Sequence, residues 1–326
     1  MIDGFEGLDV AVVALGDVDS GYAERVAGEL RRFGHRVVLS TTGSGTPGSA
    51  GRRGTAGGVD VVHTLSEKSL RAVAALRSAG TPVVHSRRPG DPVESCAVVD
   101  HVVVGSRADL DVLIRSGVPR SATSVVVEAV DNARWSVEGP VRSRTKGFRV
   151  VCRDSLWRGG GADTAIAALP WVPNTELVLA GRGGPRGSST PAEVERLSQG
   201  ARALRVADRV RIVGRADPAL VRSADVVVQV PWTAGSTRPV IEAMACGVPV
   251  VVSTVGGLPE TVLTEVTGLV VPPRDPKLLG LVLRRLLTDK VRLAAFSIAA
   301  ADRVEQRHTW ARFASGITRA YREVVR

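Results

Sequence analysis

Glu242 is the residue whose type and place ask most directly for a chemical explanation. It stands in the stretch 231–271, PWTAGSTRPVIEAMACGVPVVVSTVGGLPETVLTEVTGLVV. Pro239 fits the first turn of a helix, where its missing N–H leaves nothing unpaired, and Ser236 or Thr237 can cap that turn. The spacing predicts a short helix over 238–246, stopped by Gly247 and Pro249. The apolar run 248–252 reads as a buried strand, and Gly256 and Gly257 follow at its carboxyl end. A strand and two helix starts therefore converge, with glycines leaving backbone N–H groups uncovered. Such an edge suits phosphate and other anionic ligands. A carboxylate one turn into the helix has no structural task there and can accept hydrogen bonds from a ligand. An ordinary solvated surface glutamate is the alternative.

The elements that must position this stretch come from the rest of the chain. Its 326 residues suit two domains of ordinary size, each able to bury a core. The 44% apolar fraction fits a soluble α/β protein. No apolar run approaches the roughly 18 residues of a membrane span, and no signal-peptide pattern opens the chain. Cys96, Cys152 and Cys246 are far apart and lack metal-ligand spacing, so they read as reduced core thiols in a cytoplasmic protein.

The net charge of +10 is unevenly placed. Residues 1–146 hold 18 Lys/Arg against 17 Asp/Glu, and residues 147–326 hold 25 against 16. The excess sits in the half that carries Glu242, where its field suits a nucleoside diphosphate, an anionic membrane surface or nucleic acid. Few aromatics and no recognition module argue against nucleic acid.

Apolar runs at 8–15, 36–40, 59–63, 82–86 and 101–105 alternate with helical patterns at 22–33 and 67–78. The same alternation returns from 148, with strands at 148–152, 175–180, 210–215 and 224–230, and helices at 191–204, 277–287, 291–307 and 310–325. Near-continuous apolar strands alternating with helices predict buried parallel sheets. Two motifs in the first half read as decoys. Asp17, Val18 and Asp19 have a D-x-D form but follow the first strand, so a helix-capping loop is favoured over a metal site. Gly43 to Gly48 has the form G-x-G-x-x-G, yet it follows the second strand and no helix opens after it.

The run EAMACGVPVVVSTVGGLPE at 242–260, followed by TGLVVPPRD at 267–275, resembles the donor-binding signature of family 4 retaining glycosyltransferases. The resemblance implies the GT-B architecture, an α/β fold of two Rossmann-like doubly wound parallel-sheet domains facing a cleft. It places an acceptor-side domain at 1–140, a nucleotide-sugar-binding domain at 141–308 and a terminal helix at 309–326 that returns to the first domain. It implies a nucleoside-diphosphate sugar as donor, retention of anomeric configuration and no obligatory metal or other cofactor. The acceptor is left open among small molecules, lipids and glycans.

The resemblance also assigns residues. Arg153 and Arg158 match a spaced pair of cations that neutralises the diphosphate, and Glu242 matches the glutamate that holds the ribose hydroxyls. Thr237, Gly256 and Gly257 shape the phosphate pocket, with Ser236, Arg238 and Glu260 as further donor-binding candidates. Gly214, Arg215 and Ala216 form the turn that cradles the base through its backbone. Ser20 and Gly21 begin a helix that faces the sugar. His85 lies near the place of a histidine that approaches the transferred sugar, although Arg88 occupies the matching position.

This chain also departs from the family pattern at two other places. The signature pairs two glutamates eight positions apart, and the counterpart of the first is Ala234. The segment between Arg88 and the next strand is only about a dozen residues, which trims the acceptor side. Residues 136–147 read as the interdomain linker. Two readings follow: a glycosyltransferase on the cytoplasmic face, compatible with peripheral attachment to an anionic inner membrane, or a catalytically weak or silent GT-B protein serving as a binding partner.

Overall fold

The computed structural model describes residues 7–15, 20–41, 58–74, 80–144, 147–182 and 191–325. The D-x-D and G-x-G-x-x-G decoys lie outside the described residues, as do residues 183–190 of the loop after the strand at 175. The chain divides into two compact units, Met1–Glu128 with Trp310–Arg326, and Ala129–Thr309.

The first unit is a six-stranded parallel sheet. Its elements are β1 (Asp9–Ala14), α1 (Ser20–Arg32), β2 (Arg36–Thr41), β3 (Val61–Thr64), α2 (Glu67–Ala74), β4 (Val83–Ser86), β5 (His101–Val104), α3 (Arg107–Arg115) and β6 (Thr123–Val125). The strand order is β2-β1-β3-β4-β5-β6. Val10, Val12, Val84 and Val102 are almost entirely buried, as strands covered on both faces require. The dozen residues after Arg88 form a single 3-10 turn, Glu94–Val98, which packs Cys96 into the core.

The second unit repeats the plan with β7 (Phe148–Ser155), α4 (Ala162–Ala168), β8 (Thr175–Arg182), α5 (Pro191–Ala203), β9 (Val210–Val213), α6 (Pro218–Arg222), β10 (Val226–Gln229), α7 (Arg238–Ala245), β11 (Val250–Ser253), α8 (Leu258–Thr261), β12 (Gly268–Val271), α9 (Pro276–Thr288) and α10 (Lys290–Arg307). Its order is β12-β11-β10-β7-β8-β9, every pair parallel. The chain walks outward from β7 to β9 and then restarts on the other side of β7 at β10. That reversal opens a crevice at the carboxyl ends of β7 and β10, the place where doubly wound sheets bind ligands. Residues 156–161 and 230–237 are the loops that border it. Aspartates cap three of the helices: Asp217, Asp275 and Asp289 each accept from a backbone N–H three residues on.

The last helix, α11 (Trp310–Val324), belongs to the first unit. It buries Phe313, Ala314, Ile317, Ala320 and Tyr321. The Tyr321 hydroxyl shares a 2.8 Å hydrogen bond with His63 Nδ1, and Thr318 shares one of 2.9 Å with His35 Nε2.

The linker differs from expectation. Residues 129–144 fall in the second unit, and side chains fasten them there. Arg222 donates from Nε to Ser136 O at 2.7 Å and from Nη1 to Pro140 O at 3.2 Å. Arg142 pairs with Asp217 at 2.5 Å, and Arg144 with Asp225 at 2.6 Å. The composition of this stretch suggested a free connection, but its arginines meet carboxylates that lie 75 and 81 residues away in sequence.

Candidate functional site at the β7–β10 crevice

The loop after β7 begins with a buried strand end and turns sharply. Gly159 and Gly161 have φ of +94° and +103°, which side-chain-bearing residues rarely adopt. A Cβ on Gly161 would stand 2.8 Å from the carbonyl of Val230, so the loop can approach β10 only with glycine there. The Trp232 N–H donates to Gly159 O at 2.8 Å, joining the loop after β7 to the loop after β10. The Trp232 indole N–H donates to Thr164 Oγ1 at 3.0 Å, and the Arg274 guanidinium carbon sits 4.5 Å from the ring centroid. Gly159 itself lies between the rings of Trp157 and Trp232.

On the other side of the crevice α7 starts as the sequence predicts, with Pro239 in its first turn. Thr237 is the cap position but makes no capping bond through its side chain, because its backbone is already in the right-handed helical region. Ser236 Oγ instead accepts from Arg238 N–H at 3.2 Å. Gln229, buried at the end of β10, donates to Ser236 O at 2.8 Å and holds the approach to the helix. The helix ends at Ala245, and Gly247 reverses the chain at φ +67°. Its Cys246 thiol is pushed up to about 11 by burial, which fits the inert core thiol expected from the sequence.

Glu242 and Arg153 meet across this crevice. Arg153, at the sixth position of β7, is buried, and its Nη2 donates to Glu242 Oε2 at 2.6 Å. Its Nη1 donates to Pro239 O at 3.1 Å. The guanidinium carbon lies 5.0 Å from the Trp135 ring centroid, within cation–π range. The resemblance assigned Arg153 and Arg158 one shared task, and the structure separates them. Arg153 is engaged by Glu242, Pro239 and Trp135, whereas Arg158 is exposed and has no hydrogen bond or ion pair among the described residues.

Gly256 closes the site on the β11 side at φ +52°. A Cβ on Gly256 would lie 2.8 Å from the Cβ of Ala234. The loops after β10 and β11 therefore touch at the position where the family pattern has its first glutamate. Gly257 is buried and opens α8 with helical backbone. Glu260 is exposed, and its carbonyl accepts from Arg303 Nη2 at 2.9 Å. Gly214 and Arg215 are exposed after β9, and Ala216 is buried beside them, ahead of the Asp217 cap.

In the first unit Ser20 and Gly21 are exposed in the first turn of α1. His85 is wholly buried, with Nδ1 2.9 Å from Thr64 Oγ1 and Nε2 without a partner among the described residues. Burial pushes its pKa down to about 4. A neutral, enclosed imidazole presents no ring nitrogen at the surface, which corrects the expectation that His85 approaches the sugar. Arg88 is half-buried at this edge, with Asp91 Oδ2 3.6 Å from its Nε. No three His, Cys, Asp or Glu side chains converge as a metal site among the described residues, and no helix there is long and apolar enough to cross a membrane.

Trp135, Trp157, Trp232 and Arg274 escaped the sequence reading. All but Arg274 are tryptophans in a chain with only five, and that scarcity was the available signal.

Residues 148–289 match the family described as glycosyl transferases group 1. The D-inositol 3-phosphate glycosyltransferase of Salinispora arenicola is 30% identical over 291 residues, covering 82% of this chain and 64% of that protein. A GDP-mannose-dependent monoacylated alpha-(1-6)-phosphatidylinositol monomannoside mannosyltransferase from Corynebacterium glutamicum is 35% identical over 176 residues, 49% of this chain and 43% of that protein. The chain thus spans less than two thirds of the length of these curated relatives. Among solved structures, sucrose-phosphate synthase from Thermosynechococcus elongatus superposes with a TM-score of 0.81 at 20% identity, covering 97% of this chain and 99% of that one. Anabaena HepE in complex with UDP and glucose superposes at 0.77 and 19% identity, covering 95% and 98%. The chain has the GT-B fold, and the greater part of its second unit is similar to the group 1 glycosyl transferases.

Proposed function

We propose that the chain is a glycosyltransferase that moves a sugar from a nucleoside-diphosphate sugar to an acceptor hydroxyl, with retention and without an obligatory metal. The observation that carries this reading is the placement of Arg158 on the loop after β7 and of Glu242 one turn into α7, the helix that follows the loop after β10, the two loops being joined by the bond from Trp232 to Gly159. Glu242 accepts the ribose hydroxyls. Arg158 meets the diphosphate, which gains charge as it leaves, and a fixed cation there favours the transition state. Thr237, Gly256 and Gly257 present backbone to the phosphates, and the turn 214–216 receives the base. HepE, crystallised with UDP and with UDP-glucose, supports this class of donor, and the mannosyltransferase relative is named for GDP-mannose.

Nucleophilic catalysis would need a carboxylate near the anomeric carbon, and Ala234 supplies none. The reading is therefore front-side transfer, in which the departing diphosphate assists the incoming hydroxyl. Relatives named for an inositol phosphate and for a phosphatidylinositol mannoside support a phosphorylated polyol or lipid as acceptor. Half-buried Arg88 is a cation of the first unit suited to such a group. The test is sugar release and transfer from UDP-glucose and GDP-mannose in the presence of a chelator, with the product anomer read by NMR. Turnover with the donor's anomeric configuration supports the reading. Nucleotide binding with no hydrolysis or transfer to inositol phosphates or phosphoinositide vesicles contradicts it and favours a silent binding protein.

A further inference from the structure

We propose that Trp135 and Arg153 are positioning residues for Glu242, and that together they set how sharply the site distinguishes a ribose from a 2′-deoxyribose. The inference rests on the reading of Glu242 as the ribose ligand, and it goes beyond that reading by adding two residues that act on the ribose through Glu242.

Arg153 is 8% exposed and Trp135 6%, so neither is a solvated surface group. The guanidinium is held on three sides. The Trp135 ring covers one face, Pro239 O accepts from Nη1, and Glu242 Oε2 accepts from Nη2. Pro239 and Glu242 lie one turn apart on α7, so a single planar group grips both the backbone and the carboxylate of that helix. A lysine ammonium is a compact point charge and cannot reproduce such a planar, two-ended contact. Glu242 is the carboxylate that neutralises this buried cation, and removing either partner leaves an unpaired buried charge.

The consequence lies in the other carboxylate oxygen. Glu242 Oε1 has no hydrogen-bond partner among the described residues, and the Glu242 side chain is 13% exposed. With Oε2 pinned, the unpaired Oε1 accepts a hydroxyl without the side chain first giving up its freedom. Preorganisation of this kind raises affinity by reducing the entropy lost on binding. Trp135 matters because it keeps the guanidinium in the plane that both acceptors require.

The test is calorimetric titration of the full chain with UDP, GDP and ADP and with their 2′-deoxy forms, read as the ratio of ribo to deoxy affinity. The expected wild-type ratio is about tenfold for the nucleotide that binds, the worth of one hydrogen bond to a charged group. Glu242→Ala brings it near one. Trp135→Leu and Arg153→Lys each lower it at least about threefold, whereas Trp135→Phe keeps a ring under the guanidinium and keeps the ratio. Adding Trp135→Leu to Glu242→Ala lowers it no further, as expected of residues acting through one another. Melting curves identify the folded variants, and Arg153→Lys carries the test if Trp135→Leu does not fold.

A wild-type ratio in folded Arg153→Lys and Trp135→Leu, with Glu242→Ala near one, overturns the positioning role and leaves Glu242 as the ribose ligand. Equal losses in Trp135→Phe and Trp135→Leu overturn the role of the ring face. A wild-type ratio in Glu242→Ala, or no binding of any of the three diphosphates, overturns the ribose reading and this inference with it.

Discussion

Arg153 and Glu242 form a buried ion pair with Nη2 and Oε2 2.6 Å apart, across the point where the strand order of the second unit reverses. One residue lies near the carboxyl end of the first strand of that sheet's outward walk, and the other lies one turn inside the helix that follows the restart. The pair therefore ties together the two elements whose separation makes the crevice. Buried pairs of this kind give little net stability, since the Coulomb attraction mainly offsets desolvation. Their value here is geometric, and it leaves Arg158 as the exposed cation of the loop after β7.

Gly256 is the backbone position at which the loops after β10 and β11 meet, on the phosphate side of the proposed donor site. Its φ of +52° and the 2.8 Å approach of Ala234 both exclude a side chain. Gly256→Ala is expected to lower stability by about 1–3 kcal/mol and to weaken nucleotide binding, because the loops after β10 and β11 must separate. Gly200 offers the contrast, since it lies within α5 and a Cβ there meets nothing within 4 Å. Gly200→Ala is expected to raise stability by about 0.5–1 kcal/mol. Thermal melts of the two variants measure both signs.

Acid should destabilise the first unit through its buried histidines. Burial pushes His63 down to about 3 and His85 down to about 4, against an ordinary value near 6.5. The unfolded chain therefore binds protons that the folded one refuses. Stability is fully present above pH 6.5 and is lost progressively as pH falls toward 4. Each histidine accounts for about 2 kcal/mol between pH 6.5 and 5. Urea titrations at these two pH values check this, and His63→Gln is expected to flatten the slope by about half.

Tyr321 fixes the terminal helix. Its ring is fully buried, and its hydroxyl shares a hydrogen bond with His63 Nδ1, whose Nε2 is bonded to Ser86 Oγ. Tyr321→Phe keeps the packing and strands the imidazole nitrogen, at an expected loss of about 1–3 kcal/mol of stability. Equilibrium unfolding reads it directly, and an unchanged midpoint would mean that the hydroxyl adds nothing to the helix's hold.

Much of this architecture was legible because apolar runs and glycine punctuation determine it. The strands at 148–152 and 248–252, the proline-started helix carrying Glu242 and the helix at the end of the chain follow from local patterns, and the structure contains each of them. Side-chain partnerships across long separations were not legible. Arg153 and Glu242 are 89 residues apart, and Arg144 meets Asp225 across 81, so no local signal distinguishes a buried, paired arginine from a solvated one. For the same reason the arginine-rich stretch 136–147 read as a linker. His85 misled because a strand-end histidine looks the same in sequence whether its ring faces the crevice or the core.

The most direct test of the central claim is calorimetric titration of wild type and Arg158→Ala with UDP, GDP, ADP and TDP without metal. Exposed Arg158 makes no hydrogen bond or ion pair among the described residues, so the variant should melt within about 1 °C of wild type. The account expects one diphosphate to bind saturably to the wild type, and the variant to bind it about 10–100-fold more weakly, as the loss of a charge-assisted contact requires. Equal affinity in the two proteins, or no binding by any diphosphate, would contradict it.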